Sequence, residues 1–474
     1  MTNKILMLPM ILLLLSSAFT VSSKSTEESD WREEYAYAMG ISAMHYVYPY
    51  WRMAHVRYDW TQKTLPEKYA AVVPNQQLHK FWNASKLTNS DWQEGGGPNN
   101  DTLYSGVWLK LDEPVILTIP DMDRFYSFEM VGMNSDNFAY VSELKHGRKG
   151  GDYAILPMDW QGELPKGVTA LPHAPSQWVF VAGRTYVAGE HDLPAVTALM
   201  QQYKVTPLSQ WGQKNPTLKQ PEVFKPFDKT FKTIDDPMAV WRTINYTLTE
   251  NPPIGDEAKL IRLFQEINIG PGLNVDDLDD ASKRGLARAA VEGFRQIKAA
   301  KRDGAGHAFL EQNGWFYTLS AAGRGGEKSE FMLRSVHQSY GGLIANDVDE
   351  AIYFLGFRDA NGDLMDGNKN YEISMPAGSE PDVGAFWSIT LYDLKANLVA
   401  NEINRYSIGD RTEGLVRDAA GGLKFSIQNK RPTDKTTNWL PTPKGPFWLM
   451  LRTYQPSETI QKGEWKLPKV TVVK

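Results

Sequence analysis

Pro120-Asp121-Met122-Asp123-Arg124-Phe125-Tyr126-Ser127 returns 261 residues later as Pro381-Asp382-Val383-Gly384-Ala385-Phe386-Trp387-Ser388. Both copies read Pro-Asp, three variable residues, Phe, a second aromatic residue and Ser. Pro and Asp suit a turn, and the aromatic run after them suits a strand. The echo continues downstream. Leu171-Pro172, Trp178 and Arg184-Thr185-Tyr186 follow the first copy. Leu440-Pro441, Trp448 and Arg452-Thr453-Tyr454 follow the second. Phe and Arg stand 59 residues apart in the first half and 66 in the second. Ordered self-similarity of this kind marks a duplication. Phe125 should then superpose on Phe386, and Arg184 on Arg452. Features common to both halves are fold determinants, whereas features of one half are better candidates for chemistry.

Working outward, short β-type runs flank both copies. Val107–Leu111, Val115–Ile119, Phe125–Val131, Phe138–Val141 and Trp178–Val181 belong to the first half. Ile352–Phe357, Tyr371–Met375, Phe386–Leu391, Leu423–Ile427 and Phe447–Leu451 belong to the second. Gly-, Pro- and Asp-rich breaks separate them, the pattern of a sandwich or jelly roll. Asp359-Ala360-Asn361-Gly362-Asp363 reads as a hairpin turn, because Asn-Gly accepts the backbone angles such a turn needs.

Helical periodicity appears elsewhere. Residues 30–60 are strongly aromatic, and Pro49 should end or kink their helix near Tyr48. Asp192 stands as an N-cap before Leu193-Pro194. Glu257–Asn268 and Asp280 to about Lys301 each carry one apolar face. The second has acidic residues at its start and basic ones at its end, which suits the helix dipole. The expected fold is mainly β with α additions: two duplicated jelly-roll-like β-sandwiches, an N-terminal helical segment and a central helical insert. The expected boundaries are 1–23 for a signal peptide, 30–75 for the helical segment and 76–215 for the first sandwich. Residues 216–344 form a linker and helical insert, and 345–474 form the second sandwich.

The leader reading rests on Lys4, the apolar run Ile5–Leu15 and the small residues Ser16, Ser17, Ala18, Ser22 and Ser23. That run is short for a membrane span of about 20 residues. The expectation is a periplasmic or secreted protein with no stable membrane insertion after leader removal. Removing residues 1–23 deletes one cation and no anion, taking the net charge from −5 to −6. No basic field remains to attract nucleic acid. The sequence has no cysteine, which excludes disulfides, thiolate metal sites and a cysteine nucleophile. The eight histidines are scattered, with no pairing at metal-ligand spacing. No metal and no cofactor are therefore expected.

The polar clusters that belong to one half lie at three places. Asn99, Asn100, Asp101, Thr102 and Tyr104 follow the run Gly95-Gly96-Gly97. Asn404 and Arg405 follow Asn401-Glu402, and Trp439 follows Asn438. Amides and carboxylates hydrogen-bond hydroxyls, and indole stacks on sugar faces. A carboxylate pair can hydrolyse a glycosidic or glycosylamine bond by acid/base chemistry. Asp101 is the first candidate, followed by Glu402 and Asp393. Asn99, Asn100, Thr102, Tyr104, Asn404, Arg405 and Trp439 are the candidate substrate-binding residues. Asn346-Asp347 ahead of Tyr353 is a faint counterpart of Asn100-Asp101 ahead of Tyr104, which makes part of the first cluster a repeated strand-entry turn.

These residues carry a resemblance. Gly97–Ser105, Pro120-Asp121, Arg124-Phe125-Tyr126 and Gly183-Arg184-Thr185 resemble the domain of unknown function numbered 1254. Gly384–Ser388, Asn404–Ser407, Asn438–Pro441 and Arg452-Thr453-Tyr454 resemble its usual C-terminal companion, numbered 1214. The resemblance implies a two-part, mostly β jelly-roll protein with helical additions, often exported by bacteria. It also implies likeness to glycan-processing amidases and to two-domain jelly-roll monooxygenases. The histidine patterns of the copper enzymes are missing here. Two functions follow as expectations. One is an exported hydrolase acting on a glycan or similar polar substrate. The other is a non-catalytic glycan- or envelope-binding protein. The expected partner is a polar small molecule or glycan, with a homo-oligomer left open.

Overall fold

The computed structural model describes residues 30–64, 69–73, 77–216, 219–304, 309–320, 323–434 and 437–473. The leader-like stretch 1–23 lies outside them. Each half builds two sheets around its own core. In the first half a five-stranded sheet runs Trp82–Asn83, Thr102–Lys110, Trp178–Tyr186, Tyr126–Gly132, Asn137–Ser142. It packs on a four-stranded sheet ordered Val168–His173, Gly151–Leu156, Val115–Ile119, Lys204–Pro207.

The second half repeats this plan. Ala351–Gly356, Trp448–Pro456, Val383–Tyr392 and Ser407–Gly409 stand in the order of their first-half counterparts, with Leu310–Gln312 and Trp315–Tyr317 added at one edge. The facing sheet runs Asn438–Pro441, Leu423–Gln428, Asn370–Met375, Val470–Val473. Its one parallel pair, Leu423–Gln428 with Asn438–Pro441, matches the parallel pair Gly151–Leu156 with Val168–His173.

The register makes the duplication residue-specific. Arg184 stands between Tyr104 and Ser127, and Arg452 stands between Tyr353 and Ser388. The Phe residues of the signature also meet. Phe125 and Phe386 contact edge-to-face at the seam between the sandwiches, with ring centroids 5.5 Å apart. Phe125 touches Tyr454 and Phe386 touches Tyr186, at 5.4 and 4.9 Å. Tyr186 and Tyr454 are themselves equivalent, so the seam is a reciprocal exchange about a pseudo-twofold.

The helices cover the outer face of the first five-stranded sheet. Trp108, Trp178 and Phe180 leave that sheet to join the core formed with helix Trp31–Gln62. Val107, Val179 and Val181 face the sandwich interior. Burial on both faces explains the unbroken apolar run of strand Trp178–Tyr186. Helix Trp31–Gln62 crosses helix Asp280–Asp303 on small residues: a Cβ at Gly285 would stand 2.2 Å from the Glu33 carbonyl oxygen.

Three helical expectations change. Pro49 neither ends nor bounds its helix, which continues to Gln62. Proline costs one donor there, and the buried packing of Tyr46–Val56 outweighs it. Asp192 does not cap Leu193–Met200 with its side chain. Its carboxylate instead accepts from Arg124 and from the Ala188 N–H. The expected helix 257–268 divides into α-helix Gly255–Leu260 and the tighter turn Ile261–Ile267.

Candidate active site

The glycine run and the residues after it form a strap laid across the second sandwich. Gly95 N–H donates to the Asn397 side chain, and Gly97 N–H donates to the Ala396 carbonyl. The Tyr392 hydroxyl donates to the Pro98 carbonyl at 2.6 Å, and Asn99 Nδ2 donates to the Tyr454 hydroxyl at 2.6 Å. The glycines are required by the approach. Gly95 has φ +70°, and a Cβ there would meet the Lys395 carbonyl oxygen at 2.6 Å.

At the end of the strap Asp101 crosses the seam. Its two carboxylate oxygens accept from Ser388 Oγ at 2.6 Å and Ser407 Oγ at 3.1 Å. Asp410 lies close enough for the charge of Asp101 to act on it. Burial first, and then the Glu380 and Asp101 charges, push the Asp410 carboxyl up to about 6. The Trp387 N–H and the Arg411 guanidinium oppose that push. Arg411 stands 3.7 Å from Asp410, whose side chain is 23% exposed. The Tyr186 hydroxyl is pushed up to about 12, chiefly by burial. The result is two partly exposed carboxylates near each other, Asp101 anchored by hydroxyls and Asp410 with its carboxyl raised to about 6. Carboxylates in unlike environments can serve as proton donor and proton acceptor.

The counterpart of Asp101 is Glu350, not Asp347. Each stands immediately before one of two equivalent strands, Thr102–Lys110 or Ala351–Gly356. The Asp101 carbonyl accepts from Val187 N–H, and the Glu350 carbonyl accepts from Gln455 N–H, equivalent positions beyond Tyr186 and Tyr454. Both carboxylates accept a serine hydroxyl from the other sandwich, and Ser142 Oγ lies 2.6 Å from Glu350. Glu143 correspondingly occupies the position of Asp410, each directly following the residue paired with Ser127 or Ser388. Arg148 neutralises Glu143 at 2.7 Å, a closer pairing than Arg411 offers Asp410. Glu350 is 1% exposed, so burial sets it apart from the partly exposed Asp101, while Glu143 stays partly exposed.

The other expected site residues separate. Asp393 closes a turn, accepting from the Lys395 and Asn397 N–H groups. Glu402 is exposed, and no contact joins it to Asp101. Asn404 is also exposed, in the left-handed region with φ +50°. Asn100 holds the strap through the Thr88 carbonyl, and Thr102 is buried. Tyr104 lies beside the buried Arg184, whose guanidinium is 5.9 Å from its ring. Arg405 and Trp439 do meet, Arg405 Nη1 donating to the Trp439 carbonyl at 2.9 Å. They line a separate cavity of about 220 Å³. Of the three expected carboxylates, Asp101 lies at the seam near Asp410, whereas Glu402 and Asp393 lie apart from it. The signal for Asp410 was its position directly after the short strand Ser407–Gly409, which sequence periodicity does not resolve.

Among the described residues no cluster of three or more His, Asp and Glu side chains is arranged to hold a metal ion. Nor is any helix among them long and apolar enough to cross a membrane.

The chain is similar over 93% of its length, at 23% identity and a TM-score of 0.68, to the crystal structure of the VPA0106 protein from Vibrio parahaemolyticus, all of which is covered. That likeness shows the fold. An uncharacterised protein from Burkholderia cenocepacia aligns over 91% of this chain and 88% of its own, at 11% identity and a TM-score of 0.44. No curated protein matches. Residues 78–207 match the family described as protein of unknown function DUF1254. Residues 350–458 match the family described as protein of unknown function DUF1214. The two sandwiches, related by their register, are thus the seats of two family domains, and the chain carries DUF1254 in its N-terminal half and DUF1214 in its C-terminal half.

Proposed function

We propose that this chain is an exported hydrolase acting on a glycan or similarly hydroxyl-rich substrate at the seam between its sandwiches. Asp410 is the proton donor, and Asp101 is the carboxylate that accepts a proton or orients water. The observation that carries the reading is that Asp101, held by Ser388 and Ser407 at the seam, lies near the half-buried Asp410, whose carboxyl burial first and then the Glu380 and Asp101 charges push up to about 6. Perturbed carboxylates beside a second charge concentrate at catalytic sites. Ser388 and Ser407 orient Asp101. The leader-like residues 1–23 support export.

One observation favours a second reading, a non-catalytic glycan- or envelope-binding protein. Glu350 bridges the seam as Asp101 does, so the carboxylate–serine bond also has a structural use. The test is a screen of purified protein against glycan, glycopeptide and ester libraries, with Asp101→Asn and Asp410→Asn alongside. Loss of turnover by roughly a hundredfold or more in both folded variants supports hydrolysis. Equal turnover in all three proteins removes both carboxylates from the chemistry. Retention of an unchanged glycan by the wild type favours the binding reading.

A further inference from the structure

Lys301 stands in the last turn of helix Asp280–Asp303, against the π-helical turn Ser335–Gly341. Turns of that kind are rare and recur at functional sites. A Cβ at Gly341 would stand 2.6 Å from Lys301 Cε and 2.7 Å from Nζ, so a residue without a side chain lets the amine lie there. Lys301 is part-buried, and among the described residues it has no hydrogen bond and no ion pair. Asp303, two residues on, is taken by Arg302 at 2.6 Å. The end of a helix favours a cation, but burial outweighs that effect and lowers the Lys301 pKa. A second nitrogen without a partner comes from the facing turn. His337 is 8% exposed, and its Nε2 makes no hydrogen bond. Burial first, and then the Lys301 charge, push the imidazole down to about 4, so it is neutral and adds no second cation. The Phe309 ring packs on it, with centroids 4.8 Å apart.

A lysine withdrawn from water for structural reasons alone is paired with a carboxylate or a carbonyl. Lys301 has neither. Desolvation is the usual means of holding a lysine amine uncharged, and an uncharged amine is a nucleophile towards carbonyl carbon. We infer that Lys301 is a covalent site for a small aldehyde, which it holds as an imine beside the turn Ser335–Gly341. The C=N bond replaces the C=O bond, both amine protons leave with the oxygen as water, and no oxidant or reductant is consumed. The part-buried position restricts the partner to a compact molecule. The site lies among the helices and does not depend on hydrolysis at the seam.

The experiment is reductive trapping. The purified full chain is incubated at about pH 7 with glycolaldehyde and sodium cyanoborohydride, which delivers hydride to the imine carbon, and the modified lysines are located by peptide mass spectrometry. The exposed Lys166 serves as the internal reference. The expected result is an adduct at Lys301 that forms about tenfold or more faster than at Lys166, as a larger uncharged fraction requires. That preference should vanish in urea, where the two amines are alike. Acetic anhydride in a parallel sample reports the free amine without asking for room for an imine. Lys301→Arg is expected to lack the fast adduct and to leave the rate at Lys166 unchanged. The comparison within the wild type stands even where that variant unfolds. Trapping at Lys301 no faster than at Lys166, a preference that persists in urea, or fast reaction with the anhydride but not with the aldehyde overturns the inference.

Discussion

Asp101 and Glu350 occupy the same position in two copies of one sandwich, and each reaches across the seam to a serine of the other copy. The environments differ. Asp101 is partly exposed and takes two hydroxyls, whereas Glu350 is buried and takes one. Its second carboxylate oxygen has no partner.

Burial therefore pushes the Glu350 carboxyl up, to about 7. In the unfolded chain it titrates near 4.5. The folded state thus holds an extra proton between these values, so this group lowers stability as pH rises through that window and imposes its full penalty above about 7. Glu350→Gln keeps the acceptor for Ser142 and removes the ionisation. The expected outcome is a gain of up to roughly 3 kcal/mol at pH 8 that fades towards pH 4.5. Chemical denaturation at both pH values checks it, and equal gains at the two would contradict it.

Asp410 supplies a prediction for activity. Its protonated form is present below about 6 and is lost above it. Turnover of a substrate found in the library screen should fall tenfold per pH unit on the alkaline side of that value. A pH–rate profile flat from 5 to 8 would exclude Asp410 as the proton donor.

The duplicated arginines are expected to differ in cost. Arg184 pairs with Glu129 at 2.7 Å, and Glu129 is fully buried. Arg184→Ala strands that carboxylate, a loss of about 3–5 kcal/mol. Arg452 instead serves the Thr390 and Tyr392 hydroxyls and the Gly97 carbonyl. Arg452→Ala should cost less, about 1–3 kcal/mol. Urea midpoints of the two variants decide the order, and pairing Arg184→Met with Glu129→Leu should recover much of the first loss.

The strap offers an internally controlled comparison. Gly95 and Gly96 both have positive φ, +70° and +86°. A Cβ at Gly96 meets nothing within 4 Å, whereas one at Gly95 strikes the Lys395 carbonyl. Gly96→Ala should cost only the left-handed penalty of about 1–2 kcal/mol, and Gly95→Ala distinctly more. Thermal unfolding of the two single variants reads the difference, and equal midpoints would mean that the strap yields at Gly95.

Phe125, Phe386, Arg184 and Arg452 were legible from the repeat because a duplicated sheet needs the same residue types at the same register positions. Most longer strands were legible for a related reason: apolar and aromatic runs between turn residues carry local information. Short or polar strands such as Ser407–Gly409 and Lys204–Pro207 were not, since their place in a sheet comes from distant partners. The helix does not end at Pro49 because helix-breaking is a local preference and burial against helix Asp280–Asp303 outweighs it.

The same division applies to the candidate site. By itself the sequence determined two related β halves, helical additions and a distinctive loop ending in Asp101. It also singled out Arg405 and Trp439, which share one cavity. Only the tertiary structure decided that Asp101 meets Ser388 and Ser407, 287 and 306 residues away, and that it lies near Asp410. Carboxylate chemistry depends on burial and on neighbouring charge, and neither exists until the strap closes across the seam.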